Sequence, residues 1–186
     1  MHRSFHTILF LFISVWPSLA EKQGSIDSLL HSLNSAQDDD KYQIYLELSH
    51  EYLELDVDKG IQYANSIIAD SNVVSPEHLS KAFHNRGSLY LKLEDFSQGI
   101  SDLTTAYRKY SDINQTGNFE SELGLTSMQK GRAERLQGNN YKSLKLLLRG
   151  IEHFRAASDA LGEANCINHI GIIFTNIRDY ESAKKY

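Results

Sequence analysis

The chain is poor in cysteine and has no excess of basic residues. Its 186 residues include one cysteine, Cys166, which excludes an intramolecular disulfide and any multi-thiolate zinc site. Because Cys166 lies among apolar neighbours, we expect a buried side chain that acts as a small hydrophobic residue. The formal net charge is −5, whereas nucleic-acid-binding proteins usually carry a basic excess. The composition therefore argues against a nucleic-acid partner.

Catalytic and metal-binding motifs are also absent from the sequence. There is no GxGxxG, no P-loop and no GxSxG elbow, and the eight histidines form no metal-spaced pair. His50 and Glu51 begin like the HExxH motif of zinc proteases, but Glu54 stands where the second histidine is required. Asp38–Asp40 lack the alternate spacing of a calcium loop and look instead like an acidic start to a helix. We therefore predict no enzyme activity, no cofactor and no metal.

Proline is scarce, which permits long helices. The two prolines are Pro17 and Pro76, and Ser75 before Pro76 predicts a helix start with a serine N-cap. Hydrophobic residues make up 41% of the chain and charged residues 23%, proportions typical of one globular domain. The polar run Tyr110–Asn118 is predicted to be a loop.

The first 20 residues have the features of a secretory signal peptide. Arg3 supplies a positive charge, Ile8–Trp16 form a short apolar run, and Ser18–Ala20 offer small residues at a cleavage site. The alternative is a transmembrane anchor, but a bilayer span needs about 20 apolar residues and this run is near half of that. We expect cleavage after Ala20, export to the periplasm or out of the cell, and no membrane contact afterwards.

Residues 21–40 are predicted to be a capping helix and a linker. Apolar residues recur there on one helical face, at Ile26, Leu29, Leu30 and Leu33. The end of a repeat array needs such an atypical unit to cover its apolar surface.

The most informative stretch is Lys81–Lys109, which predicts two amphipathic helices joined by a turn at Leu93–Asp95. Small residues would let the two helices approach and larger ones would fill the space between them. These positions are Gly87, Tyr90, Phe96, Gly99, Leu103 and Ala106.

The same pattern recurs around Ser49, Gly131 and Gly171, at spacings of 38, 44 and 40 residues. The matching positions downstream are Gly131, Ser143, Leu147 and Gly150 in one unit and Gly171, Phe174, Tyr180 and Ala183 in the other. The unit at Gly131 departs from the pattern, because Glu134 and Asn140 stand where the aromatic residues are expected.

This pattern resembles the tetratricopeptide repeat, a helix–turn–helix unit of about 34 residues. The resemblance implies an all-α fold, a right-handed superhelix of antiparallel helix pairs. The predicted units are 41–74, 76–111, 118–157 and 159–186. The last is truncated after Tyr186, so we expect a fragment of a longer chain or self-association through the uncapped C-terminal helix.

The resemblance further implies a concave groove lined by the first helix of each unit. Residues six and three before the glycine, and one and four after it, share one helical face. They are Gln43, Leu46, His50, Leu53, Lys81, His84, Ser88, Leu91, Leu125, Met128, Arg132, Arg135, Asn165, Asn168, Ile172 and Thr175. The set contains Lys81, Arg132 and Arg135 but no acidic residue, which suits an acidic peptide or a C-terminal carboxylate. The alternative is a solvated face with no specific ligand.

We therefore predict an exported scaffold that binds a protein or peptide through this groove. The alternative is the periplasmic sensory region of a membrane signalling enzyme, of histidine kinase or cyclase type, cut off after Tyr186. A reading frame that continues into about 20 apolar residues would favour the second.

Overall fold

The computed structural model describes residues 21–115 and 118–186 as nine helices without a strand. The predicted signal peptide lies outside the described residues. The helices are α1 (21–33), α2 (Asp38–Glu51), α3 (Val57–Ala69), α4 (Pro76–Lys92), α5 (Phe96–Ile113), α6 (Glu120–Leu136), α7 (Asn140–Ala156), α8 (Ala160–Asn176) and α9 (Tyr180–Ala183). The all-α prediction is confirmed for this part of the chain.

Successive helices pack as pairs, and the pairs stack along the chain to form an α-solenoid. Each helix from α2 onward contacts the next one, and the first helices of neighbouring pairs, α2 with α4, α4 with α6 and α6 with α8, also contact each other. The pairs span 38–69, 76–113, 120–156 and 160–183. Among the described residues, no helix combines the length and apolar character that a membrane crossing requires.

The turns after α4, α6, α7 and α8 repeat one backbone geometry. In the α4–α5 turn, Glu94 has φ of +59° and the amide of Asp95 donates to the carbonyl of Tyr90 at 2.9 Å. This is the Schellman arrangement that ends a helix. The carboxylate of Asp95 then accepts from the amide of Gln98 and caps α5. Gly138, Ser158 and Arg178 occupy the same left-handed position in the turns before α7, α8 and α9.

Glycine permits the close crossing of α4 and α5. A Cβ on Gly87 would lie 2.8 Å from Cγ of Leu103 and 3.1 Å from the carbonyl oxygen of Gly99. Gly131 is similarly close to Leu147, whereas a Cβ on Gly171 would meet nothing nearer than 3.9 Å. The signature glycine is therefore needed for packing in the central pairs but not in the last one.

The unit that departs from the pattern closes its turn with polar groups. The hydroxyl of Ser143 donates to the carbonyl of Gly131 at 2.7 Å. The side-chain amide of Asn139 donates to the carboxylate of Glu134 at 2.7 Å. A hydrogen bond therefore ties the end of α6 to the following turn, at the position where the other units carry an aromatic ring.

The loop predicted to begin at Tyr110 is wrong at its start, because α5 continues to Ile113. Tyr110 is only 2% exposed and packs with Ala106, Leu123 and Phe119. Burial of the ring against the next pair stabilises this last turn of helix, although the surrounding sequence is polar.

Two helix starts that were predicted from the sequence, at Ser75 and at Asp38, are present in the structure. The hydroxyl of Ser75 accepts from the amide of His78 at 3.1 Å, as an N-cap serine does. Residues Asp38–Asp40 form the first turn of α2, where acidic residues favour the helix dipole. Helix α1 places Ile26 at 0% exposure against Leu48 and Tyr52.

Candidate functional site

Two adjoining open cavities, which together we call the groove, lie along the first helices α2, α4 and α6 and the turn after α2. One has a volume of about 190 Å³ and is lined by His50 and His84, among others. The other, of about 180 Å³, is lined by Leu91 and Arg132. The two cavities share Leu53, Ser88 and Gln129 as lining residues. They therefore form a continuous depression across three consecutive repeats.

Two further depressions extend this surface at its ends. One, of about 360 Å³, lies between α1, α2 and α4 and includes Gln43, Leu46, His50 and Lys81. The other, of about 260 Å³, lies between α6, α7 and α8 and includes Leu125, Met128 and Asn165. Most of the residues predicted from the sequence thus line one of the four depressions. The structure does not place four of them in any: Arg135, Asn168, Ile172 and Thr175.

His84 links two repeats through the wall of the groove. Its Nδ1 lies 2.9 Å from the hydroxyl of Thr126, which itself donates to the carbonyl of Glu122 at 2.7 Å. The hydroxyl proton is therefore engaged, and His84 donates through Nδ1 and presents Nε2 as an acceptor. Burial, followed by the nearby His50, lowers the pKa of His84 to about 4. The ring is neutral at pH 7.

Other polar side chains also cross between helices in the groove. The hydroxyl of Ser88 lies 2.8 Å from the side-chain oxygen of Gln129 on α6 and 2.9 Å from the carbonyl of His84. The amide of Asn85 donates to the carbonyl of Leu46 on α2 at 3.1 Å. The hydroxyl of Ser49 is buried without a hydrogen-bond partner. His84, Asn85, Ser88 and Gln129 are thus uncharged polar groups tied to the scaffold, and they lie among apolar side chains such as Leu53 and Leu91.

Some residues that line the groove were not predicted from the sequence, because the helical face that was considered was too narrow. Asn85 and Gln129 lie two residues before the glycine of their units, and Lys92 and Leu136 lie five after it. At 3.6 residues per turn, these offsets fall beside the predicted face. A helical face widened to include these two offsets would have contained all four residues.

The face predicted from the sequence contains no acidic residue, but the full set of residues that line the groove does. Glu54 lies at the groove and pairs with Lys92 at 2.8 Å, and Lys81 pairs with Glu77 at 2.5 Å. The positive charge of the α2–α4 end is therefore offset. By contrast, neither Arg132 nor Arg135 makes an ion pair with any described residue. The uncompensated positive charge lies at the α6–α8 end.

The structure offers no sign of thiol or metal chemistry in the described ranges, and it holds the side chain of Asn114 in two hydrogen bonds. Cys166 is fully buried between α7 and α8, and burial raises the pKa of its thiol to about 12, so the thiolate is not populated. Asn114-Gln115-Thr116 has the form of an N-glycosylation acceptor sequence. The side-chain amide of Asn114 donates to Glu120 at 2.7 Å, and its side-chain oxygen accepts from the backbone amide of Phe119 at 2.9 Å. No metal-binding cluster of His, Cys, Asp or Glu occurs in the described ranges.

Comparisons with known proteins identify fold relatives only. No protein-family model and no curated protein sequence matches this chain. Among solved structures, the crystal structure of MamA is similar with a TM-score of 0.62 and 15% sequence identity, over 91% of this chain and 86% of MamA. The apo form of the quorum sensor NprR from B. thuringiensis is similar with a TM-score of 0.66 and 15% identity. That match covers 94% of this chain and 52% of NprR, so the chain spans about half of that protein.

Together with the stacked helix pairs, these likenesses show that the chain folds as a tetratricopeptide-type α-solenoid.

Proposed function

We propose that this protein is a scaffold that binds a protein or peptide partner in the groove and performs no catalysis itself. The observation that carries the proposal is the continuous depression across α2, α4 and α6, with Ser88 and Gln129 at its centre. Apolar side chains at Leu53 and Leu91 provide contact area there, while His84 Nε2 provides a fixed acceptor. A few fixed polar groups on a mostly apolar depression are typical of a binding site.

The test is selection from a random peptide library, followed by affinity measurement on the selected peptides. Ser88→Trp would fill the junction of the two cavities, so it should weaken binding by at least about tenfold, the equivalent of 1.4 kcal/mol. Lys145→Trp places the same ring on the exposed face of α7 and should leave affinity within about twofold. Equal effects of the two variants, or no selected peptide, would contradict the proposal.

We further propose that the chain is exported. Residues 1–20, with Arg3, the apolar run Ile8–Trp16 and the small residues Ser18–Ala20, support this proposal. Mass spectrometry of protein expressed from the full reading frame should find a mature N-terminus at Glu21 in the periplasmic or secreted fraction. Recovery of an intact N-terminus from the cytoplasm would contradict it.

A second candidate function is the sensory region of a longer signalling protein. The similarity in fold to the quorum sensor NprR, over 52% of that protein's length, favours this candidate. The test is to sequence the genomic DNA beyond the codon for Tyr186. A membrane span followed by a kinase or cyclase domain would support the sensory role, and an immediate stop codon would contradict it.

A further inference from the structure

Exposed apolar side chains follow one edge of the solenoid, where the two helices of a pair are joined. Leu93 follows α4, Leu136 ends α6 and Ile177 follows α8, and these side chains are 50%, 53% and 51% exposed. Tyr141 and Tyr180, at the starts of α7 and α9, are also largely exposed. We call these five residues the turn edge. Single exposed apolar residues are ordinary, but a row of them with polar neighbours marks an interaction site.

The stacking of the helix pairs places these turns side by side. Contacts join α4 to α6 and α6 to α8, so the ends of these three first helices lie on one side of the array. Leu136 lines one cavity together with Lys92 and Phe96, which flank the turn after α4. Because packed helices lie roughly 10 Å apart, the row from Leu93 to Ile177 is roughly 20 Å long.

The charge of the turns changes sign along this edge. Glu94, Gly138 and Arg178 hold the same left-handed position in the turns after α4, α6 and α8. Asp95 and Asp179 each cap the helix that follows, so the charge difference between the two end turns arises at Glu94 and Arg178. Neither Glu94 nor Arg178 makes an ion pair with any described residue. An edge that is negative at one end and positive at the other is complementary to its own reverse.

We propose that the turn edge is the interface of a homodimer, in which a second copy of this chain lies antiparallel across it. A two-fold axis near Leu136 brings Leu93 of each copy against Ile177 of the other. The same rotation brings Glu94 of each copy against Arg178 of the other. Every contact of such an interface occurs twice, so two ion pairs flank an apolar centre.

The size of the turn edge fits a reversible dimer. An edge of roughly 30 by 20 Å presents roughly 600 Å² per copy, at the lower end of the range for specific interfaces. The centre of this interface lies at α6, so it differs from the self-association through the C-terminal helix that the sequence suggested. The proposal is also independent of the groove and of its proposed function.

The first test is sedimentation equilibrium of the mature chain at low salt. We expect a monomer–dimer equilibrium with a dissociation constant of about 10–100 µM. Leu136→Glu places two carboxylates beside each other at the two-fold axis and should weaken the dimer by about tenfold or more.

The matched control for Leu136→Glu is Leu161→Glu. Leu161 is 73% exposed in the first turn of α8, at roughly 24 Å along that helix from Ile177. The same substitution there should change the dissociation constant by less than about twofold. Both leucines are exposed, so circular dichroism should show unchanged helix content in the two variants.

A charge exchange tests the antiparallel arrangement itself. Glu94→Arg and Arg178→Glu each bring like charges together at both ends of the interface, and each should weaken the dimer several-fold. The double variant E94R/R178E restores opposite charges and should recover most of the wild-type affinity. All three variants keep a Cβ at the left-handed positions, so the backbone conformation is under the same constraint throughout.

Three results would overturn the proposal. The first is a chain that stays monomeric over the whole concentration range. The second is a dimer that Leu136→Glu and Leu161→Glu weaken equally, which would place the interface elsewhere. The third is a dimer that E94R/R178E leaves weaker than either single variant, which would exclude the antiparallel pairing of Glu94 with Arg178.

Discussion

Single residues with positive φ follow α4, α6, α7 and α8, and three of these four residues have side chains. Glu94, Ser158 and Arg178 have φ between +58° and +63°, whereas Gly138 fills the equivalent position in another turn. A residue with a Cβ pays about 1 kcal/mol or more for the left-handed conformation, which glycine adopts freely. The carbonyls at the helix ends nevertheless require this geometry for the Schellman hydrogen bonds.

Glu94→Gly should therefore stabilise the protein by about 0.5–1 kcal/mol. Glu94 is exposed and the glycine removes its strain without removing a buried contact. Urea unfolding followed by circular dichroism measures the change in free energy of unfolding. Gly138→Ala is the reciprocal control and should destabilise the protein by a similar amount. A lower urea midpoint for Glu94→Gly would contradict the strain at this turn.

His84 should make the stability depend on pH between about 6.5 and 4. Its folded-state pKa is about 4 while its ordinary value is 6.5, so below pH 6.5 the unfolded chain binds a proton that the folded chain does not. Stability is therefore lost as the pH falls through this window, by at most about 3.4 kcal/mol.

The matched variant is His84→Asn, which keeps a donor near the hydroxyl of Thr126 but does not titrate. Thermal unfolding at a series of pH values should show a shallower loss of stability for His84→Asn than for the wild type between pH 6.5 and 4. Parallel curves for the two proteins would contradict this, because they would show that His84 binds its proton equally well in the folded and the unfolded state.

At the scale of the helices, an arginine ties three of them together. Arg86 on α4 donates to both oxygens of Asp102 on α5, at 2.6 and 2.9 Å, and to the side chain of Asn65 on α3 at 2.7 Å. Its guanidinium group also lies 5.4 Å from the ring centre of Phe83. Asp102 is 5% exposed and holds the pKa of Arg86 above its usual value. The pair fixes the angle between α4 and α5 at the centre of the solenoid.

Asp102→Ala should destabilise the protein by about 3 kcal/mol or more, because it leaves a largely buried guanidinium group without its partner. Asp112→Ala removes an exposed carboxylate from the same helix and should change the free energy of unfolding by less than about 0.5 kcal/mol. Chemical unfolding of both variants measures the difference. Similar values for the two would mean that water replaces Asp102 beside Arg86.

The sequence predicts the helices well and their side-chain partners poorly. The spacing of Gly87, Phe96 and Gly99 correctly predicts two helices, the turn between them and their close crossing. The pairing of Arg86 with Asp102 cannot be predicted from this spacing, because periodicity shows which face a residue lies on but not which residue opposes it. For the same reason, the buried and unpartnered Nε of Arg135 could be found only in the folded structure.

At the scale of the whole molecule, the net charge is negative, but one end of the concave surface carries unpaired positive charge. The chain carries a formal charge of −5, yet the α6–α8 end of the concave side presents Arg132 and Arg135 without acidic partners. Total charge therefore could not reveal this local excess of positive charge. Stacking of the pairs places first helices side by side, which brings residues some 40 positions apart, such as His84 and Thr126, into contact across one surface.

The most direct test of a binding role for this surface is an NMR map of a library-selected peptide on the labelled mature protein. We predict that the shifted amide signals cluster on α2, α4, α6 and α8, with the largest changes near Ser88 and Gln129. The signals of exposed residues on α5 and α7 that line no depression, such as Arg108 and Lys145, should remain nearly unchanged. Shifts confined to α3, α5 and α7, or spread evenly over the molecule, would contradict the groove as the binding site.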